Sequence, residues 1–376
     1  MIKFWSYKRE LKKYEKTINL RIKKSLNSGQ IFFGKELNEF EKNFTKKYKS
    51  KYGVAVGSGT DALFIALKAS GIKNGDEVIT AANTAIPTIS AIRACGAIPK
   101  LVDIRDDYLI DVSKIEREIT KKTKFIIPVH LYGQTCNMNE ILKISKKYKL
   151  KIVEDCAQSQ GAKYKNKFCG TIGEAGCFSF YPTKILGAYG DGGFILTNDN
   201  RLYKKAKRIR FYGIETSEKN NKYFNKYYSN EDGINSRMDE IQAGILNFKL
   251  SIIEKLIKKR RYLANLYFRE LKSTNILLPK LNKYSDHVYH LFTVYHPKRD
   301  KIIRELKKNY IETKIIYPYP IQKMIAYKKL FKKNKNLKQS EIKSKGIFCL
   351  PIYPELKRKE VIKICNCLKK IIKKFN

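Results

Sequence analysis

No run of apolar residues in this 376-residue chain approaches the roughly 20 needed to cross a bilayer, so no membrane span is expected. The opening Met1-Ile2-Lys3-Phe4-Trp5-Ser6-Tyr7-Lys8 lacks the apolar centre of a secretory signal, which gives a cytoplasmic expectation. The cysteines, at 95, 136, 156, 169, 177, 349, 365 and 367, include no Cys-x-x-Cys pair. They read as reduced and mostly buried, and Cys156 as the filling of a strand end rather than a reactive thiol. Histidine is scarce, and His130, His287, His290 and His296 form no metal-ligand pattern, so no metal is expected.

Acidic residues are also few, 35 against 78 basic ones, for a net charge of +43. On a smaller protein that excess would point to a basic regulatory or nucleic-acid-binding role. Here the basic residues are mostly lysine, spread over the whole length among Ile, Asn and Tyr. Runs such as 328–338 and 357–374 read as solvated helix faces, with no zinc-finger spacing and no aromatic RNA-binding motif beside them. Neither nucleic acid nor a membrane surface is expected as a partner. The positive field suits a substrate that carries a diphosphate.

What is present is enough apolar residue, 43%, to bury one large core and a smaller second one. A division into residues 1–250 and 251–376 is expected, the first part opening on a helical segment. Helical spacing of apolar positions runs over 10–27 and 36–48, broken at Ser28-Gly29 and Gly34. From Tyr52 to about Asp199, short β-branched runs at 53–56, 77–80, 98–102, 124–129, 151–154, 176–180 and 194–197 alternate with helical segments. That alternation predicts an α/β fold with a mainly parallel central sheet covered on both faces. Beyond it, one long helical pattern covers 239–272, and strands at 289–296, 313–316 and 347–350 alternate with helices at 300–309, 340–345 and 357–374.

Ligands of such sheets bind beyond the carboxyl ends of strands, and three groups of residues fall there. Gly57-Ser58-Gly59-Thr60-Asp61-Ala62-Leu63 follows a strand and opens a helix, so its N–H groups and the Thr60 hydroxyl offer a phosphate cradle. An ordinary glycine turn before a helix cap would read the same way. Asp155 ends the strand that begins at Lys151, where a carboxylate needs a positive or donating partner such as a protonated pyridine nitrogen; the alternative is a helix N-cap. Lys184 follows the aromatic run Phe178-Ser179-Phe180-Tyr181-Pro182 and precedes the turn Gly190-Asp191-Gly192-Gly193, at a strand end rather than on a solvated face. A lysine among aromatic residues can have its pKa lowered, which favours Schiff-base chemistry. Carboxylate, amine and phosphate donors together match the needs of pyridoxal phosphate.

These motifs, in this order and followed by Gly233-Ile234-Asn235-Ser236-Arg237-Met238-Asp239-Glu240, resemble the sugar aminotransferases of the DegT/DnrJ/EryC1/StrS family over essentially the whole chain. The resemblance implies fold type I, the aspartate aminotransferase-like architecture, with pyridoxal 5′-phosphate as cofactor. It implies Lys184 as the Schiff-base lysine and proton carrier and Asp155 as partner of the pyridine nitrogen. Gln158 would donate to the cofactor's phenolic oxygen, and Ser58, Gly59, Thr60 and Ser179 would hold the phosphate. Asn235 would reach the phosphate of a neighbouring subunit, which implies a homodimer with shared sites. The implied reaction moves an amino group from L-glutamate to a nucleotide-linked keto sugar for surface glycan (lipopolysaccharide) biosynthesis. Residues 83–88 and 317–321 resemble the branch acting at C3 of a dTDP-3-dehydro-6-deoxyhexose, with C4 amination of a UDP- or dTDP-sugar as the alternative. Family dehydratases carry His in place of the Schiff-base lysine, and Lys184 argues against them. Two departures stand out: Ala85 replaces an aromatic that stacks on the ring in many relatives, and the segment Tyr317-Pro318-Tyr319-Pro320-Ile321-Gln322 lacks their His, leaving Gln322 as an uncharged candidate for substrate contact.

Overall fold

The computed structural model describes residues 1–215, 228–332 and 336–374. The chain opens with helices α1 (Tyr7–Asn27) and α2 (Lys35–Tyr48). Then follow β1 (Tyr52–Val56), α3 (Gly59–Ala69), β2 (Glu77–Ala81), α4 (Ile86–Ala94), β3 (Ile98–Val102), β4 (Thr123–Ile127), α5 (Met138–Tyr148) and β5 (Lys151–Asp155). A two-residue hairpin, β6 (Lys163–Tyr164) and β7 (Lys167–Phe168), precedes β8 (Ala175–Ser179), β9 (Gly193–Thr197) and α6 (Asn200–Ile209). The remainder comprises α7 (Glu240–Ser251), α8 (Ile253–Leu271), β10 (Phe292–Tyr295), α9 (Arg299–Lys308), α10 (Ile325–Lys328), α11 (Lys338–Gly346), β11 (Ile347–Leu350) and α12 (Arg358–Lys373).

Seven strands form one sheet in the order β1-β9-β8-β5-β4-β2-β3. Pairing is parallel from β8 through β5, β4 and β2 to β3, and β9 runs antiparallel to both of its neighbours. All seven strands expected between Tyr52 and Asp199 are present. Their apolar continuity has a simple cause. The sheet is covered on both sides, by α3, α4, α5 and α6 and by α2 and α7, so residues of both strand faces are buried, as in Val78 to Ala81 or Gly193 to Thr197.

The topology sets three strand ends side by side. β1, β5 and β8 point the same way, so the turn after Val56, the carboxylate of Asp155 and the hydroxyl of Ser179 share one edge of the sheet. Gly193, the first residue of β9, pairs with Val56 on one side and Ser179 on the other. A methyl group there would lie 2.1 Å from the Ser58 carbonyl oxygen, so only glycine lets β9 enter beneath that loop.

A second hydrophobic core gathers α8, α9 and α12 around the antiparallel pair β10–β11, and Ile2 packs into it. Arg9 of α1 also reaches this part of the chain, forking onto Glu360 of α12 at 2.7 and 2.8 Å. Two expectations need correction. Residues 313–316 form no strand: Lys314 makes a single bridge to Cys349 before the chain turns toward Tyr317. The long helix expected over 239–272 is two helices, because Ile252 leaves the helical region at φ −110°, ψ 6°. That break frees α7 to pack on α1 and α2 while α8 packs on α12.

Candidate active site

The three strand ends border a small cavity of about 80 Å³. Its chemistry comes from Gly59, Thr60, Asp155, Gln158, Ser179 and Lys184, and its apolar wall from Leu63, Ala85, Pro87, Val129 and Ala157. Of the residues expected from sequence, six therefore meet around one space.

The Gly57–Thr60 turn is built by its neighbours. Ser58 caps α3, its hydroxyl accepting the Asp61 N–H at 3.1 Å, while its carbonyl accepts the Ala62 N–H at 3.0 Å. The N–H groups of Gly59 and Thr60 are left at the positive end of the helix, beside the cavity. A methyl on Gly59 would stand 2.6 Å from Ser179 Cβ, so glycine is what brings the loop against β8. Ser58 is in the loop but does not line the cavity; its hydroxyl serves as the helix cap, a role the sequence left open for this turn.

Asp155 is buried, and no helix follows it, so it is not a helix cap. Thr88 Oγ1 donates to its Oδ2 at 2.8 Å and the Ala157 N–H donates to its Oδ1 at 3.1 Å. Thr84 extends the chain of hydroxyls, 2.9 Å from Thr88. Burial pushes the Asp155 pKa up, opposed by the Thr88 and Ala157 hydrogen bonds and by the charge of Lys184. A carboxylate in that position is stabilised by any cation that enters the cavity. Its neighbour Glu154 is saturated: its oxygens accept from the Gly170, Ile172 and Gly173 N–H groups at 2.7–2.8 Å and meet His130 Nε2 at 2.9 Å. His130, Glu154 and Cys156 are close enough to hold a metal ion, but these bonds already use the Glu154 oxygens, and His130 Nδ1 accepts the Cys136 N–H at 3.1 Å. The pair braces the 170–173 loop against β5.

Lys184 is half-buried, in the turn after β8, its N–H donating to the Tyr181 carbonyl at 2.8 Å. Removal of its amine from water lowers the pKa from 10.5 to about 8, and the charge of Asp155 opposes the shift. The folded chain therefore binds this proton more weakly than the unfolded chain does. Between about 8 and 10.5 the unfolded state still holds a proton that the folded state has lost, so apoprotein stability rises with pH through that window. Lys184→Met is expected to stabilise the apoprotein at pH 7 by roughly 1–3 kcal/mol. Thermal melts in a pH series should show that advantage shrinking as pH climbs through the same window.

Gln158 is buried between two partners: its Oε1 accepts the Tyr132 N–H at 2.8 Å and its Nε2 donates to the Tyr317 hydroxyl at 2.9 Å. Ser179 Oγ accepts the Tyr181 N–H at 3.3 Å, and its carbonyl accepts from Gln160 Nε2 at 2.6 Å. Ala85 lines the cavity as the residue before α4 and supplies a methyl where a stacking ring was in question. Gln322 is buried against α11, donating to Ser340 Oγ at 3.2 Å and Glu341 Oε1 at 3.4 Å, so it anchors its own loop. Asn235 does not line this cavity. It is exposed, accepts from Arg237 Nε at 2.9 Å, and precedes Ser236, whose hydroxyl accepts the Gly57 N–H and donates to Asp61 on the outer side of the turn. Thr88 and Tyr317 lie in the 83–88 and 317–321 segments singled out from sequence, but their hydrogen bonds to Asp155 and Gln158, like the place of Tyr132, come from tertiary contacts.

A desolvated amine, a buried carboxylate and an anion-binding helix end around one cavity fit an amine, a pyridine nitrogen and a phosphate, the groups of pyridoxal phosphate, on a fold type I sheet. The chain belongs to the DegT/DnrJ/EryC1/StrS aminotransferase family, whose profile matches residues 12–369, and it is a pyridoxal phosphate-dependent aminotransferase. It is 37% identical over 98% of both chains to a dTDP-3-amino-3,4,6-trideoxy-alpha-D-glucose transaminase from Micromonospora megalomicea subsp. nigra. Its identity to a dTDP-3-amino-3,6-dideoxy-alpha-D-galactopyranose transaminase from Aneurinibacillus thermoaerophilus is 41%, over 98% of this chain and 99% of that one. The crystal structure of S. venezuelae DesV in complex with a ketimine intermediate superposes with a TM-score of 0.93 at 34% identity, covering 98% of each chain. A regulatory role inferred from net charge is not favoured. Among the described residues no helix is long and apolar enough to cross a membrane.

Proposed function

We propose that the protein transfers the amino group of L-glutamate to C3 of a dTDP-3-dehydro-6-deoxyhexose, releasing 2-oxoglutarate, in the cytoplasm and toward a surface glycan. The observation that carries the chemistry is the convergence of Lys184 and Asp155 on one cavity closed by the α3 N-terminus. The sugar class is supported by the two dTDP-3-amino-sugar transaminases to which nearly the whole chain is similar.

Each residue has a distinct task. Lys184, its pKa lowered to about 8, is about a tenth neutral at pH 7, far more than an ordinary lysine, and serves as nucleophile and then as proton carrier. Asp155, oriented by Thr88 and the Ala157 N–H, would hold the cofactor's ring nitrogen protonated. Gly59, Thr60 and Ser179, which line the cavity at the helix end, would hold its phosphate, and Gln158 would donate to its phenolic oxygen. When bound, pyridoxal phosphate supplies the electron sink that lets an amino group leave one carbon and join another. The exposed position of Asn235, beside the turn and outside its own chain's cavity, supports a homodimer in which Asn235 completes the phosphate site of the other subunit.

The test is incubation with L-glutamate and a panel of dTDP- and UDP-linked keto sugars, with the aminated carbon identified by NMR. Nitrogen at C3 of a dTDP-sugar is the expected product. Amination at C4 alone would overturn the C3 assignment.

A further inference from the structure

The amide of Gln158 is oriented by a closed circuit of hydrogen bonds. The Tyr132 N–H can only donate, so the atom facing it at 2.8 Å must be the amide oxygen. The amide nitrogen then faces Tyr317, and donates to its hydroxyl at 2.9 Å. The circuit closes through Tyr132 itself, whose hydroxyl donates at 2.7 Å to the carbonyl of Ile316, the residue before Tyr317. One N–H of Gln158 is spent on Tyr317, and the other is left for a ligand of the cavity that Gln158 lines.

We propose that Tyr317 is a positioning residue, whose hydroxyl fixes the Gln158 amide so that the free N–H is aimed at the phenolic oxygen of the cofactor. This rests on the pyridoxal phosphate site described above. Without the Tyr317 hydroxyl, the bond from Tyr132 still holds the amide oxygen but no longer sets the plane of the amide. Tyr317 is suited to the task because its ring packs against the main core and its phenol stays protonated, pushed up by burial and by the charge of Asp155. Its hydroxyl oxygen therefore remains a fixed acceptor over the working pH range.

The experiment is a spectroscopic pH titration of the cofactor's visible band in holoenzyme, comparing wild type with Tyr317→Phe, Gln158→Ala and the double variant. Loss of a donor to the phenolic oxygen is expected to raise the midpoint in Gln158→Ala by roughly one pH unit or more. Tyr317→Phe, which keeps the packed ring, should give a large part of that rise. The double variant should match Gln158→Ala alone, because both changes remove one interaction. A midpoint in Tyr317→Phe equal to wild type, additive shifts in the double variant, or no shift in Gln158→Ala would each overturn the proposal. Wild-type protein that gives no visible band with pyridoxal phosphate would instead overturn the cofactor reading on which it rests.

Discussion

Lys184→Ala is expected to lower turnover by more than about 10⁴-fold and to abolish the visible band of the cofactor-loaded protein. Two tasks fall to one amine, covalent attachment and proton transfer, and among the described residues no second lysine lines the cavity to take either over. The lowered pKa makes the group competent for both, since a lysine at its ordinary 10.5 would be almost wholly charged at pH 7. Lys184→Arg separates charge from chemistry. It retains a cation near Asp155 but cannot lose a proton, so it should be as inactive as the alanine variant. Rapid-mixing absorbance with L-glutamate checks the result, and measurable turnover in either variant would move the nucleophile elsewhere.

The architecture was legible from sequence to a different depth in different places. The seven strands of the sheet were visible because burial on both faces makes each a short β-branched run bounded by turns, as in Glu77–Ala81 and Lys151–Asp155. The 313–316 segment misled for the same reason: Lys314-Ile315-Ile316 has strand-like composition, yet only Lys314 finds a bridging partner. In the site, Asp155 and Lys184 stood out because each sits where a strand ends, against residues that would otherwise leave a charge exposed or unpaired. Thr88 and Tyr317 were visible only as members of the 83–88 and 317–321 segments, with nothing local to show which partner either would meet. Thr88 lies inside α4 and meets Asp155 across 67 positions of sequence; Tyr317 meets Gln158 across 159. Hydrogen bonds of that range are set by how the sheet and its loops pack, which residue spacing does not encode. The role of Ser58 was ambiguous for another reason, because one hydroxyl pattern serves both a helix cap and an anion site, and only the Asp61 N–H contact distinguishes them.

Asp155→Asn is expected to reduce turnover by roughly 10²–10³-fold while leaving the fold intact. The substitution is nearly isosteric, and the partners can adapt. The Ala157 N–H can still donate to the amide oxygen, and the Thr88 hydroxyl can rotate to accept from the amide nitrogen, with Thr84 2.9 Å away to take the Thr88 proton. What is lost is the negative charge, and with it the means of keeping a pyridine nitrogen protonated. The apoprotein gives an independent check of sign. Burial raises the Asp155 pKa above 3.8, so across the interval from 3.8 to that raised value the folded chain holds a proton the unfolded chain has released. Stability should therefore fall as pH rises through that interval in wild-type apoprotein, and Asp155→Asn should remove this part of the dependence. Cofactor binding reverses the balance, because a protonated ring nitrogen favours the ionised carboxylate. Pyridoxal phosphate should thus raise the melting temperature of wild type more than that of Asp155→Asn. Equal stabilisation of the two, together with unimpaired turnover, would show that the carboxylate serves only to close the end of β5.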